Sequence, residues 1–172
     1  MGERLAEEIE LKEVTMAEKL ILRHLTQLYC YDFSEFDGID VDEFGQYHFP
    51  YLDHYWTEKK RHPYLVRLNG QWAGFVLMEE CLKDDGVSPY CSLADFFIMK
   101  KYRGKGIGQA VAYQIFDRYP GEWEVSEIPE NYPAQAFWRK IIGRYTQGQF
   151  EEETLEDGEV LQRFVSRAKV IE

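Results

Sequence analysis

The spacing of apolar residues in the first third of the chain predicts a strand followed by two helices. Residues 9–14 alternate between apolar and polar, which is typical of a half-buried strand. Thr15 and Glu18 have the spacing of a capping box and predict the start of a helix. Apolar residues then recur on one helical face up to about Tyr31, namely Leu20, Ile21, Leu25 and Leu28. The aromatic-rich residues 51–56 predict a second, short helix.

The middle of the chain predicts a hairpin and one further strand. Apolar runs at residues 64–68 and 72–78 flank the dipeptide Asn69-Gly70. Such a dipeptide between apolar runs is the strongest short-range signal for a hairpin. Another apolar run follows and ends at Met99, which predicts a strand next to the hairpin.

The last part of the chain predicts two helices and three strands. A helix is expected from Ile107 until the helix-breaking pair Pro120-Gly121. A strand over residues 123–128 and a helix over residues 133–142 follow. Two strands separated by an acidic turn end the pattern, the second of them over residues 160–166.

These elements together predict one mixed-sheet domain. Residues 32–43 show no regular period, and six of these twelve residues are acidic, so we expect an acidic loop there. The predicted order is β-α-α-β-β-β-α-β-α-β-β, which is typical of an α/β (α+β) domain. No internal repeat or linker interrupts it, and we expect residues 1–172 to form a single domain.

A glycine-rich segment joins the predicted strand to the helix at Ile107, with the sequence Arg103-Gly104-Lys105-Gly106-Ile107-Gly108. Glycines let successive N–H groups converge on one point, and the helix N-terminus adds its positive end there. The segment therefore predicts a diphosphate site, with a simple tight turn as the alternative. It differs from a P-loop, which requires a Lys-Ser or Lys-Thr pair, because Gln109 and Ala110 follow Gly108.

The charge balance bears on the class of ligand. The 172 residues include 20 Lys and Arg against 31 Asp and Glu, a formal net charge of −11. A nucleic-acid partner is not expected, since phosphate backbones attract basic surfaces. An acidic surface favours cationic ligands such as amines, although it also serves simply to keep a protein in solution.

The remaining composition indicates a protein of the cytoplasm without structural metal. The chain has three cysteines and no C-x-x-C spacing, so neither a disulfide framework nor a zinc site is expected. His48, His54 and His62 have no ligand spacing either. The N-terminal segment lacks the apolar core of a signal peptide, and no apolar run is long enough to span a membrane.

Two separated motifs resemble those of the GNAT N-acetyltransferases. The first is the strand Asp95-Phe96-Phe97-Ile98-Met99 followed by the R-x-x-G-x-G pattern of residues 103–108. The second is Asn131-x-x-Ala134-x-x-Phe137-Trp138-x-Lys140, where the family commonly has N-x-x-A-x-x-F-Y-x-K. The element order also agrees over essentially the whole chain. The resemblance implies a mostly antiparallel sheet whose fourth and fifth strands splay apart, flanked by helices.

The resemblance implies acetyl-CoA as co-substrate and a set of binding residues. The pantetheine arm would lie along Ile98 and Met99, with the Met99 N–H near the developing oxyanion, and Asn131 would bond the arm from the other side. The 3′-phosphate would meet Lys100, Lys101, Lys105 or Arg139. The diphosphate would take backbone N–H groups from Arg103, Gly104, Lys105, Gly106, Ile107 and Gly108.

The catalytic positions depart from the family pattern in two places. Trp138 replaces the usual acid, a tyrosine, and an indole N–H can donate a hydrogen bond to the leaving sulfur but cannot protonate it. Tyr132 is the nearest phenol and is either a replacement acid or a loop aromatic. Ala94 stands where polyamine acetyltransferases have a glutamate, and Asp95 is expected to be structural. Glu127, on the apolar face of the fifth strand, is either the general base or a structurally paired carboxylate.

The region expected to select the acceptor is residues 29–56, which has no Lys or Arg. Its acidic residues and aromatics suit a cationic amine, with a solvated acidic loop as the alternative. The leading hypothesis is therefore an acetyl-CoA-dependent N-acetyltransferase acting on a small cationic amine. The alternatives are a peptide or lysine acetyltransferase and a catalytically decayed acyl-CoA-binding module. The sequence leaves open whether the chain forms a homodimer.

Overall fold

A seven-stranded sheet forms the centre of the computed structural model, which describes residues 8–167. The strands are β1 (Ile9–Glu13), β2 (Arg61–Leu68), β3 (Gln71–Leu82), β4 (Pro89–Ile98), β5 (Gly121–Glu127), β6 (Phe150–Thr154) and β7 (Val160–Ser166). The helices are α1 (Lys19–Asp37), α2 (His54–Thr57), α3 (Ile107–Arg118) and α4 (Tyr132–Tyr145). The strand order is β1-β2-β3-β4-β5-β7-β6, and the β4–β5 pair is parallel while the others are antiparallel. The predicted element order and fold class are confirmed.

Helices cover both faces of the sheet. On one face, Leu22 and Leu25 of α1 and Tyr55 of α2 pack with inward residues of β2, β3 and β4. On the other face, α3 and α4 enclose a larger cluster that includes Trp123 and Phe164. A side chain of the sheet therefore belongs either to the α1 face or to the α3–α4 face.

Local signals account for several boundaries. Asn69 and Gly70 both have positive φ angles, 49° and 79°, as a two-residue hairpin turn requires. Thr15 and Glu18 form the predicted capping box, with the Thr15 N–H donating to the Glu18 carboxylate at 3.2 Å. The turn that they cap is a 3₁₀ turn over Met16–Glu18, and α1 continues directly from it.

The first helix is longer than predicted and presents a different face. It runs to Asp37, so the first half of the predicted acidic loop is helical. Leu20 and Leu28 are 59% and 48% exposed, whereas Leu22, Leu25 and Thr26 are buried. The reason is that Tyr29, Phe33 and Phe36 continue the inward face of Leu22 and Leu25 at helical spacing. Successive rings of these three aromatics lie 5.5 and 6.1 Å apart, and Gly38, with a φ of 70°, ends the helix.

The fourth and fifth strands diverge, as the resemblance implied. They pair at only three positions, where residues 91–93 face residues 123–125. Beyond them, β4 continues to Ile98 without pairing to β5. A β-bulge marks the point of divergence, because Met78 faces Leu93 whereas Leu77 faces Asp95, which leaves Ala94 without a partner in β3. The divergence opens the sheet next to the glycine-rich segment.

Candidate active site

A cavity of about 860 Å³ occupies the gap between the diverging strands. Its walls are residues 93–98 of β4, residues 125–128 at the end of β5, the segment around residues 103–109, the inner face of α4 and the last turns of α1. Gln135 of α4 donates to the carbonyl oxygens of Ile128 and Pro129 at 3.0 and 3.1 Å, which fixes α4 against the segment after β5. Most of the residues predicted from the sequence therefore lie around one space.

The glycine-rich segment presents a row of free backbone amides. Gly104 and Gly106 have φ angles of 75° and 80°, a left-handed conformation that favours glycine. The first amide of α3 with a backbone acceptor is that of Ala110, which donates to the Gly106 carbonyl at 3.0 Å. Within residues 8–167, no acceptor takes a hydrogen bond from the amides of residues 104–109. These donors and the N-terminus of α3 lie at one end of the cavity and could hold an anion there.

Gly108 serves a different purpose from Gly104 and Gly106. Its φ is not positive, but a Cβ atom there would lie 3.1 Å from a ring carbon of Phe137. The absent side chain thus lets α3 approach α4 closely. Gly108 belongs to the helix packing that supports the cavity as well as to the amide row.

The two cations nearest the strand are already paired with the protein. The guanidinium of Arg103 pairs with Asp32 of α1, and its Nε donates to the Ile98 carbonyl at 2.6 Å. Lys100 Nζ lies 2.9 Å from the other Asp32 oxygen. Burial raises the pKa of Asp32, but the hydrogen bonds from Arg103 and Lys100 outweigh it and leave that pKa below its usual value. The charge of Arg103 is therefore largely neutralised by Asp32.

Other basic side chains remain open to a phosphate. Arg139 is held by both carboxylate oxygens of Glu152, so of the four side chains considered for the 3′-phosphate only Lys101 and Lys105 form no ion pair within the described residues. Lys140 and Arg144 of α4 line the cavity and were missed. Both residues are exposed on α4, and their spacing in the sequence does not distinguish them from ordinary surface cations.

The backbone of β4 corrects the role expected of Met99. Its N–H donates to the Ala73 carbonyl at 2.8 Å and is not free for an oxyanion. Hydrogen-bonded pairs alternate along an antiparallel ladder, so the polar backbone groups of Phe96 and Ile98 point away from β3 into the gap. The Ile98 carbonyl is taken by Arg103, which leaves the N–H groups of Phe96 and Ile98 as the donors that face the gap.

Asn131 stands opposite β4 at the start of α4. Its side-chain oxygen accepts from the Ala134 N–H at 3.1 Å, which makes it the N-cap of the helix. It is buried and lines the cavity. Because capping uses only the oxygen, the side-chain NH₂ group is left to donate to a bound molecule.

Glu127 is a buried carboxyl at the end of β5. It shares the α3–α4 face with Trp123 and Val125, is 6% exposed and lines the cavity. Neither carboxyl oxygen has a hydrogen-bond partner within the described residues. Burial raises the pKa of Glu127 to about 8, helped by the charge of Glu152 and opposed by Gln162 and Arg139. Glu127 therefore presents to the cavity a buried carboxyl that has no hydrogen-bond partner in the described part of the chain.

The two candidate acids lie in different surroundings. Trp138 is buried, lines the cavity and packs edge-on against Phe96 with ring centres 4.9 Å apart. Tyr132 is 73% exposed at the start of α4 and is not among the residues around the cavity. Because its phenol faces solvent, Tyr132 is not brought to the site as a replacement acid.

The sequence analysis did not identify a pair of titratable side chains on the α1 face of the cavity, Asp95 and Tyr29. Burial raises the pKa of Asp95 to about 6, with the Tyr29 hydroxyl opposing the shift. Burial and the Asp95 charge in turn raise the pKa of Tyr29 well above its usual value. Rings of Phe33 and Phe97 lie within 6 Å of the Tyr29 ring centre. A half-buried carboxylate beside aromatic faces is a setting that suits a cation.

Only part of the acidic region reaches the cavity. Asp32 and Glu35 line it, but Asp32 is neutralised as described above. Asp42 accepts from the amides of residues 44 and 46 at 2.8 and 2.9 Å, so it closes its own turn. The negative charge at this end thus comes chiefly from Glu35 and Asp95. Across residues 8–167, no group of three or more metal-ligating side chains is arranged to hold a metal ion, and no helix could span a membrane.

Comparisons with known proteins point to one family. The pattern that defines the acetyltransferase (GNAT) family matches residues 23–143, which is more than half of the chain. A comparison with curated proteins found no relative.

Solved structures resemble the whole chain at low identity. An acetyltransferase from Thermus thermophilus has a TM-score of 0.67 and 14% identity, covering 91% of this chain and 96% of its own. The PaiA N-acetyltransferase from Thermoplasma acidophilum, in complex with coenzyme A, gives 0.58 and 13%, covering 92% and 99%. Arabidopsis thaliana Naa50, in complex with the bisubstrate analogue CoA-Ac-MVNAL, gives 0.61 and 16%, covering 91% and 97%. At these identities the likeness shows the fold.

Proposed function

Because the chain belongs to the acetyltransferase (GNAT) family, we propose that it is an acetyl-CoA-dependent N-acetyltransferase whose acceptor is a small cationic amine. The observation that carries the proposal is the continuity of the cavity. It begins at the free amides of residues 104–109, follows the open edge of β4 and reaches two carboxyls, the half-buried one of Asp95 and the buried one of Glu127. This layout supports binding a diphosphate at one end and performing proton transfer at the other.

The residues present fit the co-substrate. The amides of residues 104–109 would hold the diphosphate, and each hydrogen bond to a charged group contributes about 1.5–3 kcal/mol. Ile98 of β4 and Asn131 at the start of α4 both line the gap and would hold the pantetheine arm. Lys140 and Arg144, which also line the cavity, and the nearby Lys101 and Lys105 would supply cations for the phosphates. Two proteins of similar fold, PaiA and Naa50, were solved with coenzyme A or a derivative of it.

The protein groups divide the chemistry among them. Bound acetyl-CoA supplies the thioester carbon to which the amine nitrogen bonds as the carbon–sulfur bond breaks. Glu127 accepts the proton that the ammonium must lose, since its pKa of about 8 lies near neutral pH. The Ile98 N–H stabilises the oxyanion, and the Trp138 N–H donates to the departing thiolate sulfur. The thiolate then takes its proton from solvent, because Trp138 cannot supply one.

The α1 end of the cavity supports a cationic acceptor. Asp95 has a pKa of about 6 and therefore carries its negative charge at neutral pH. Glu35 adds a second carboxylate, and Tyr29, Phe33 and Phe36 supply aromatic faces. These groups would hold a protonated amine next to the gap where the thioester lies.

Release of free coenzyme A is the direct test of this function. We expect a thiol-specific reagent to report turnover with at least one amine from a panel of polyamines, amino sugars, amino acids and peptides. Turnover with peptides alone would replace the small amine by a peptide acceptor. Tight coenzyme A binding without turnover across the whole panel would favour a binding module and reject the enzyme.

The acceptor end is tested by an Asp95→Asn variant. We expect the KM for the amine to rise by about 10- to 100-fold, because a lost charge-assisted hydrogen bond costs about 1.5–3 kcal/mol. Coenzyme A affinity should stay constant, since Asp95 lies on the α1 face. Asp84→Asn, in an exposed turn between β3 and β4, is the matched control. An unchanged KM for Asp95→Asn would place the acceptor elsewhere.

A further inference from the structure

A fully buried amide on β7 lies beside the candidate base. Gln162 has no exposed surface and sits on the same apolar face as Val125 and Phe164. Its Nε2 donates to Glu152 of β6 at 3.0 Å, while its Oε1 has no partner within the described residues. An amide in such surroundings is costly unless its polar atoms are used. Packing alone therefore does not explain a glutamine at this position.

The partner of Gln162 is itself held rigidly at the sheet edge. Arg139 of α4 donates from Nε to both oxygens of Glu152, at 3.1 and 2.9 Å, and from Nη2 at 2.7 Å. Hydrogen bonding by Arg139 lowers the pKa of Glu152, so this carboxyl stays ionised at neutral pH. A forked pair of this kind fixes the direction of both side chains. Glu152 thus presents a fixed acceptor to Gln162.

Gln162 and Glu127 are neighbours across the β5–β7 ladder. Gln162 faces Val125 and Glu127 faces Val160, so the two polar side chains are diagonal neighbours on one face. An amide NH₂ group has two N–H donors, and only one is used by Glu152. The second can serve an ionised Glu127, while the unpartnered Oε1 of Gln162 can accept from a protonated one. Both protonation states of Glu127 are therefore accommodated.

We propose that Gln162 is a positioning residue for the Glu127 carboxyl and that the Arg139–Glu152 ion pair at the surface holds Gln162 in place. The row Arg139–Glu152–Gln162–Glu127 then links the sheet edge to the cavity. A role of this row in catalysis rests on the proposed function. Its effect on the protonation of Glu127 does not depend on that function. The other ionisable groups that line the same cavity come from α1, β4, the glycine-rich segment, α4 and the turn before β7, namely Tyr29, Asp32, Glu35, Asp95, Arg103, Lys140, Arg144 and Glu159.

The two members of the surface pair act on Glu127 with opposite signs. The charge of Glu152 raises the pKa of Glu127, while that of Arg139 lowers it. We expect Glu152→Gln to lower this pKa, and Arg139→Gln to raise it. The double variant should return close to the original value, because both charges are then absent. Gln162→Leu removes a donor to the ionised form and should raise it too.

The titration of Glu127 is measured directly by NMR on protein labelled at glutamate side-chain carboxyls, with Glu127→Gln identifying the signal. Arg163→Gln is the matched control, because it breaks another surface pair, with Glu124 and Glu153, and should leave the signal alone. An unchanged signal in a folded Gln162→Leu protein would overturn the positioning role of Gln162. Shifts of the same sign for Glu152→Gln and Arg139→Gln, or no shift in either, would overturn the part assigned to the surface pair. The exposed positions of these two residues keep the test valid if Gln162→Leu fails to fold.

Turnover separates this inference from the proposed function. Opposite NMR shifts in a protein that acetylates no amine would support the network and reject the enzyme. In an active protein, the pKa seen in the pH profile of kcat/KM should move with the NMR value in each variant. A profile that stays fixed while the NMR value moves would show that Glu127 is positioned as described but is not the base.

Discussion

A Glu127→Gln variant is expected to lose about 10²–10⁴-fold in kcat, the usual contribution of a positioned general base. Glutamine has nearly the same shape but cannot accept a proton, so coenzyme A affinity and the fold should be retained. Steady-state thiol release measures kcat, and calorimetry measures binding. Glu124→Gln is the matched control, since Glu124 lies on the same strand, points to the other face and pairs with Arg163 at 3.0 Å. Equal kcat in both variants would reject the role.

The pH dependence of turnover provides a second test of the same residue. A base works only when ionised, so a carboxyl with a pKa of about 8 gives a rate that rises with pH and levels off above that value. An ordinary glutamate with a pKa of 4.5 would give a flat profile over this range. The residual rate of the Glu127→Gln variant should not show this rise with pH.

The pH dependence of stability should reveal the protonation of Glu127 without any measurement of turnover. The pKa of Glu127 in the folded protein lies above its value in the unfolded chain, so the neutral form favours folding. The stabilisation that the neutral Glu127 carboxyl contributes is therefore complete below pH 4.5, and it is lost as the pH rises through about 8. Because glutamine has no proton to lose, Glu127→Gln should show a smaller decrease in thermal midpoint between pH 6 and pH 9. A parallel decrease in both proteins would show that Glu127 is not buried as a neutral acid.

Elements defined by local chemistry could be predicted from the sequence. Asn69-Gly70 identifies its hairpin because both residues adopt positive φ at little cost, and the Thr15–Glu18 box identifies its helix start because each group satisfies the other. The tight turn of the glycine-rich segment could be predicted in the same way. These features depend on residues close in sequence, so a short stretch of the chain contains all the information that they need.

Features that depend on distant contacts could not be predicted. Asp32 neutralises Arg103 from 71 residues away, and no spacing rule connects them. Asp32 was also assigned to a loop, because the acidic residues between Tyr29, Phe33 and Phe36 concealed a helical period that tertiary packing completes. Tertiary contacts stabilise this part of α1, among them the packing of the Tyr29 ring against Phe75 of β3 and Phe97 of β4.

The bulge at Ala94 explains most of what was missed in the catalytic half of the site. Strict alternation places successive residues on opposite faces, but a bulge inserts a residue and resets the facing of all that follow. Leu93 consequently packs on the α3–α4 face while Phe97 packs on the α1 face. Asp95 is thereby directed toward Tyr29. The same register assigns the Met99 amide to Ala73 and leaves the Ile98 amide in the gap.

A Gly106→Val variant is expected to bind coenzyme A at least about 100-fold more weakly. Gly106 has a φ of 80° at the point where the free amides converge. A β-branched residue resists this conformation and should turn the neighbouring amides away from a common point. Loss of two hydrogen bonds to the diphosphate, at about 1.5–3 kcal/mol each, corresponds to roughly 10²–10⁴-fold in affinity. Calorimetric titration with coenzyme A measures the change.

The glycine in the β3–β4 turn makes this experiment specific. Gly86 has a φ of 68°, and a Cβ atom added at either glycine would meet no atom within 4 Å. Gly86→Val therefore imposes similar backbone strain far from the cavity, and thermal midpoints of the two variants should decrease by similar amounts. Only Gly106→Val should lose affinity. Gly108 is less suitable, because a side chain there also meets Phe137.

The choice of ligand then shows which part of coenzyme A the amides hold. Pantetheine has the thiol arm but no diphosphate, so the gap between β4 and β5 should bind it equally well in the unaltered protein and in Gly106→Val. A loss confined to coenzyme A would locate the defect at the phosphates. An equal loss for both ligands would mean that the substitution closes the gap itself. Full affinity for coenzyme A in a folded Gly106→Val protein would contradict the amide site and, with it, the acetyl-CoA-dependent reaction proposed above.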